Sequence, residues 1–81
     1  MARASYLPDV WRQPDGSPVS CVEKLKVLTE NLAELRELAE EAFADALLMG
    51  CDEAQVRGVL RALVDGLEDP FPHRRRAAGG A

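Results

Sequence analysis

The sequence predicts an all-α fold: a helical hairpin built from a long helix over about residues 21–49 and a shorter one over about 53–68, preceded by an extended N-terminal arm. Three observations predict it. Ser20-Cys21-Val22-Glu23 and Asp52-Glu53-Ala54-Gln55 each place a capping side chain three residues before a Glu or Gln, the signature of a helix start. Between them, apolar residues recur at steps of three and four. Gly50 stands where that run stops and can take the left-handed conformation that closes a helix.

The arm, residues 1–19, contains Pro8, Pro14 and Pro18 and a Pro14-Asp15-Gly16-Ser17 turn, which excludes a helix. A short hairpin of residues 10–13 against 17–20 fits this composition. Tyr6, Leu7, Val10 and Trp11 are too apolar to be left wholly in water, and they are expected to pack over the helices as a lid. The functional alternative is that Trp11 anchors a partner, since Trp is enriched where interfaces concentrate their binding energy.

On the first helix, Leu25, Leu28, Leu32, Leu35, Ala39, Ala42, Ala46 and Met49 make a coiled-coil-like seam. Leu38, Phe43, Leu47 and Leu48 fall outside that seam, so the C-terminal half of the helix should be packed on at least two sides. The second helix carries Val56, Val59, Leu60, Leu63, Val64 and Leu67 on a stripe facing back onto the first. Gly58 and Gly66 weaken it by about 1 kcal/mol each relative to Ala, with Gly58 read as a point of close helix approach. Pro70 is expected to end it, and residues 70–81, with His73, Arg74, Arg75 and Arg76, read as a disordered basic tail.

Leu28, Leu32, Leu35, Leu38, Phe43, Leu47, Val56, Leu60 and Leu63 are therefore the expected core and interface residues. The first helix is longer than the second can cover. The arm, a second copy closing a four-helix bundle, or a larger host protein would supply the missing neighbour, and the homodimer is the preferred answer.

Composition points the same way. A chain of 81 residues forms one small domain and buries only about 60% of the surface its unfolded state exposes, so help from a partner is expected. The formal charge of −4 argues against a general affinity for polyanions. With no apolar leader segment and no run of ~18 apolar residues, no membrane association is expected, and a cytoplasmic address follows. An Arg-rich, Ala-rich sequence without Ile hints at a bacterial origin. Cys21 and Cys51 flank a helix about 40 Å long. They cannot pair within one hairpin, because a disulfide needs Cα atoms within about 7 Å. They read as free thiols, although in an antiparallel dimer Cys21 would approach Cys51 of the other copy. Cys21, at a helix start, is also a candidate reactive thiol with a redox role.

Glu30, Glu34, Glu37 and Glu41, with Glu40 and Asp45 nearby, form an acidic ridge that reads as a solvated face or as a dock for a basic partner. No metal site is expected, since carboxylate-bridged bundles use Glu-x-x-His pairs and the sole histidine, His73, lies in the tail. Neither thiol has a histidine placed beside it, and no Gly-rich phosphate loop is present, so no catalytic residue and no cofactor are assigned.

Residues 46–61 also fit a helix-turn-helix pattern, with Ala46, Gly50, Val56 and Val59 at its small, turn and core positions. Arg57, Arg61 and the tail's Arg74, Arg75 and Arg76 would then contact nucleic acid, but Asp52 and Glu53 would face phosphates. Leu48-Met49-Gly50-Cys51-Asp52-Glu53-Ala54-Gln55-Val56 resembles the Met-Gly-Phe/Tyr loop and following helix of ubiquitin-associated domains. The resemblance covers about 15 residues. Cys51 replaces the aromatic, the first helix is several turns too long, and Pro70 and Pro72 fall where a third helix should begin, so ubiquitin binding is not carried over. The expectation is a small non-catalytic interaction or accessory protein acting through an apolar helical surface, with nucleic-acid binding and a Cys21 thiol role as alternatives.

Overall fold

A computed structural model describes residues 6–71 of the chain. It contains two helices, α1 (Val22–Leu48) and α2 (Glu53–Asp65), and no regular strand among the described residues. The chain divides into two compact bodies: the first holds residues 6–30 and 69–71 of the described chain, the second residues 31–68.

In the first body the arm forms a tight hairpin. Arg12 and Pro18 make an antiparallel bridge. The Val19 amide donates to the Trp11 carbonyl at 2.8 Å, and the Gln13 amide to the Ser17 carbonyl at 2.7 Å. The bonds of this bridge come from the residues on either side, so Pro18, with no N–H to give, occupies a non-hydrogen-bonded position that calls for none. The reversal is a three-residue connection in which the Gly16 amide donates back to the Gln13 carbonyl and Gly16 itself is left-handed (φ 92°). Asp15 locks the turn: its Oδ1 accepts both the Ser17 amide (3.0 Å) and the Ser17 hydroxyl (2.6 Å). Leu7, Trp11, Val19, Leu25 and Leu28 are the half-buried apolar residues of this body.

The sequence places the start of α1 one residue early. The Leu25 amide bonds the Cys21 carbonyl, so Cys21, not Ser20, is the capping residue. At its other end α1 closes with a full Schellman motif. The Cys51 amide reaches the Ala46 carbonyl at 3.0 Å and the Gly50 amide reaches Leu47 at 3.0 Å, with Gly50 at φ 94°. Asp52 then caps α2, its carboxylate accepting the Gln55 amide at 2.9 Å.

Two expectations about α2 are corrected. It ends at Asp65, with Gly66 as C-cap, rather than running to residue 68 and stopping at Pro70. The Leu67 amide takes the Val64 carbonyl in a tight three-residue turn, which unwinds the helix before the proline can act. Gly58 is not a point of close approach, since a Cβ added there meets nothing within 4 Å.

Candidate interaction surface

Within residues 31–68, Ala39, Phe43 and Ala46 of α1 and Val56 and Leu60 of α2 are the half-buried residues on the facing sides of the two helices, and Leu32 is half-buried near the body's start. Leu60 shares a groove with Arg36, Ala39, Glu40, Phe43 and Arg57, so α2 returns alongside α1. That groove marks one flank of the hairpin, and the flank is salt-bridged. Arg36 pairs with Glu40 at 2.8 Å and Arg57 with Glu53 at 3.0 Å, while the Arg57 guanidinium covers the Phe43 ring.

The other flank follows from helical periodicity. At 100° per residue, Leu35, Leu38, Ala42 and Met49 lie on the side of α1 away from Arg36 and Glu40. Val59, Ala62 and Leu63 lie on the side of α2 away from Arg57 and Arg61. Asn31 and Gln55 lie toward its ends, and Asp45, seven residues after Leu38 on the same line of α1, places one carboxylate on it. The acidic ridge, Glu30, Glu34, Glu37 and Glu41, is exposed on a third face, and Lys26 stands 3.9 Å from Glu30.

No described residue is fully buried. Of the nine expected core and interface residues, Leu28, Leu32, Phe43, Val56 and Leu60 are half-buried, whereas Leu35, Leu38, Leu47 and Leu63 are exposed. At the end of α1 Leu48 is 88% and Met49 78% exposed, although Met49 belongs to the seam that the periodicity marks for burial. A large aliphatic side chain left in water forgoes about 1.5–3 kcal/mol of burial. For a domain whose whole stability is about 5–15 kcal/mol, several such residues on one face are a strong drive to associate.

The remaining candidates are placed as follows. Trp11 is half-buried in the arm. Both cysteines are exposed and free. Backbone amides at the start of α1, chiefly that of Lys24 and more weakly that of Glu23, hydrogen-bond the Cys21 sulfur and hold its thiol below the ordinary cysteine value. Arg57 is engaged by Glu53 and Phe43, and Arg61 lines a shallow surface depression with Leu60, Val64 and Asp65. Arg74, Arg75 and Arg76 lie outside the described residues.

Among the described residues no third helix follows α2, and no helix is long and apolar enough to cross a membrane. No protein-family model, curated protein or solved structure shows significant similarity to the chain. The class is thus set by the fold alone: an all-α helical hairpin.

Proposed function

We propose that this chain is a small, non-catalytic interaction or accessory protein of the bacterial cytoplasm that works through the apolar surface of its helical hairpin. The single observation that carries the reading is the exposure of Leu35, Leu38, Val59 and Leu63 together on one flank of the hairpin. A hairpin with no buried residue keeps such a surface only at a cost in stability, and association offsets that cost.

The test is copurification of the full-length chain from its native host, together with its solution mass by light scattering. A specific bound protein, or a mass above one chain, supports the reading. A single-chain mass with no bound protein, combined with cooperative unfolding of high stability, overturns it.

A second reading has one observation in its favour. Cys21 is exposed at the cap of α1 with its thiol acidified by backbone amides, which suits a thiol that reacts in the thiolate form. Preferential modification of Cys21 in cells would support it.

A further inference from the structure

The chain holds two Asp-Gly links, Asp15-Gly16 in the arm's turn and Asp65-Gly66 at the end of α2. Such a link can rearrange without a catalyst. The glycine nitrogen attacks the protonated side-chain carboxyl of the aspartate, a C–N bond forms, and the amide hydrogen leaves with the carboxyl hydroxyl as water. Water then opens the cyclic imide at either carbonyl and returns aspartate or isoaspartate. The net change is an isomerisation that needs no oxidant or other co-reactant. Glycine permits it most readily because no side chain shields its nitrogen. After Asp9, Asp45 and Asp52 the next residue carries a side chain, and Pro70 after Asp69 has no N–H to lose.

We propose that Ser17 guards the Asp15-Gly16 link, and that Asp65-Gly66 is the link at which the folded chain is converted to isoaspartate. In the arm both reacting groups are held. The Gly16 amide donates to the Gln13 carbonyl at 2.8 Å, and the Arg12 guanidinium donates to the Gly16 carbonyl at 3.1 Å. Asp15 Oδ1 accepts the Ser17 hydroxyl at 2.6 Å and the Ser17 amide at 3.0 Å, and the same hydroxyl oxygen accepts from the Gln13 side-chain amide at 3.0 Å. These donors favour the ionised carboxylate, whereas ring closure consumes the protonated one. Attack at residue 15 therefore requires the turn to surrender its own bonds.

Asp65 has the same neighbour without that restraint. It is the exposed last residue of α2, and no described residue hydrogen-bonds or ion-pairs its carboxylate. The Gly66 nitrogen is engaged by the helix end, through the Ala62 carbonyl at 2.9 Å. Bonds in a terminal turn open more often than those inside an element. Fraying of that turn releases the nitrogen beside a carboxyl that nothing else holds. The two links also differ in consequence, since an isoaspartyl link lengthens the main chain by a methylene group. At residue 15 the insertion falls between Gln13 and Ser17, whose bond closes the hairpin. At residue 65 it falls at the end of α2, beyond Val56 and Leu60.

The experiment incubates the full-length chain in heavy-oxygen water near neutral pH, folded and in urea. Digestion in ordinary water and peptide mass spectrometry then locate the heavy oxygen that each imide opening leaves at its aspartate. Each folded rate is read against the rate of the same site in urea. Folding should slow Asp15 about tenfold more than Asp65, and this comparison needs no variant. Ser17→Ala should raise the folded rate at Asp15 about tenfold, with Asp65 in the same molecule unchanged. Ser17→Thr, which keeps the hydroxyl, should leave both rates as they are. An Asp15 rate that is the same folded as in urea, or that Ser17→Ala leaves unaltered, overturns the guard. Incorporation at Asp15 equal to or above that at Asp65 in the folded chain overturns the assignment of the modified link.

Discussion

The guanidinium carbon of Arg57 lies 4.6 Å from the centroid of the Phe43 ring, while the Nε of the same residue donates to Glu53 at 3.0 Å. One side chain therefore ties α2 to α1 and to its own first turn. The ring's electron-rich face attracts the cation, and the carboxylate one helical turn earlier fixes where that cation stands.

Arg57→Ala is expected to cost about 1 kcal/mol, the sum of a partly exposed cation–π contact and an i,i+4 pair. Urea unfolding of Arg57→Ala, Phe43→Ala and the double variant checks it. A coupling near zero between the two sites would show that the stacking contributes nothing in solution.

Gly50 and Gly58 should respond to alanine in opposite directions. Gly50 holds φ 94° in the Schellman turn, where a Cβ is strained, so Gly50→Ala should destabilise by about 1–2 kcal/mol. Gly58 lies inside α2 with open space around its absent Cβ, so Gly58→Ala should stabilise by about 0.5–1 kcal/mol. Thermal melts of the two variants side by side decide the matter.

Removing the α2 cap is a further check on the hairpin. Asp52→Ala leaves the Gln55 amide without its acceptor and should cost about 1 kcal/mol, whereas Asp52→Asn should retain most of the stability. Equal loss in both would mean that the carboxylate acts through its charge at the helix start rather than through the hydrogen bond.

The arm should loosen in acid. The Ser17 hydroxyl and, less strongly, its amide hydrogen-bond the Asp15 carboxylate and hold it below its ordinary value of 3.8. A carboxylate depressed on folding contributes stability that is fully present above the ordinary value and is lost as pH falls through the folded one. Trp11 fluorescence should therefore change below about pH 4. Asp15→Asn should flatten that change, and an unaltered titration in this variant would assign it to another group.

Cys21 should react with iodoacetamide faster than Cys51 near neutral pH, because amides at the start of α1 favour its thiolate. Mass spectrometry of partially labelled protein reads the order directly. Equal rates would remove the support for a thiol role.

Much of the fold was legible in the residues, and particular ones show why. Gly50, Asp52 and the Pro14-Asp15-Gly16 turn act through bonds to neighbours a few residues away, so their roles follow from local chemistry and were read in place. The shift of the first cap from Ser20 to Cys21 is a one-residue matter of which carbonyl receives the first helical bond, and both side chains can serve there. The end of α2 at Gly66 reflects two competing stop signals, glycine and proline, of which the nearer one acted.

What the sequence by itself determined is the list of elements: two helices, their caps, the turn between them and the arm's reversal, all set by backbone hydrogen bonds and by steps of three and four that act over short range. What only the tertiary structure decided is which apolar residues are covered. Leu35, Leu38, Val59 and Leu63 share the periodicity of Phe43, Val56 and Leu60, yet stay exposed while the others are half-buried. The physical reason is that two helices touch along a single line. Periodicity marks every residue on an apolar face as fit for burial, but a lone α2 shields only those on the contact line, and the rest stay exposed beside it.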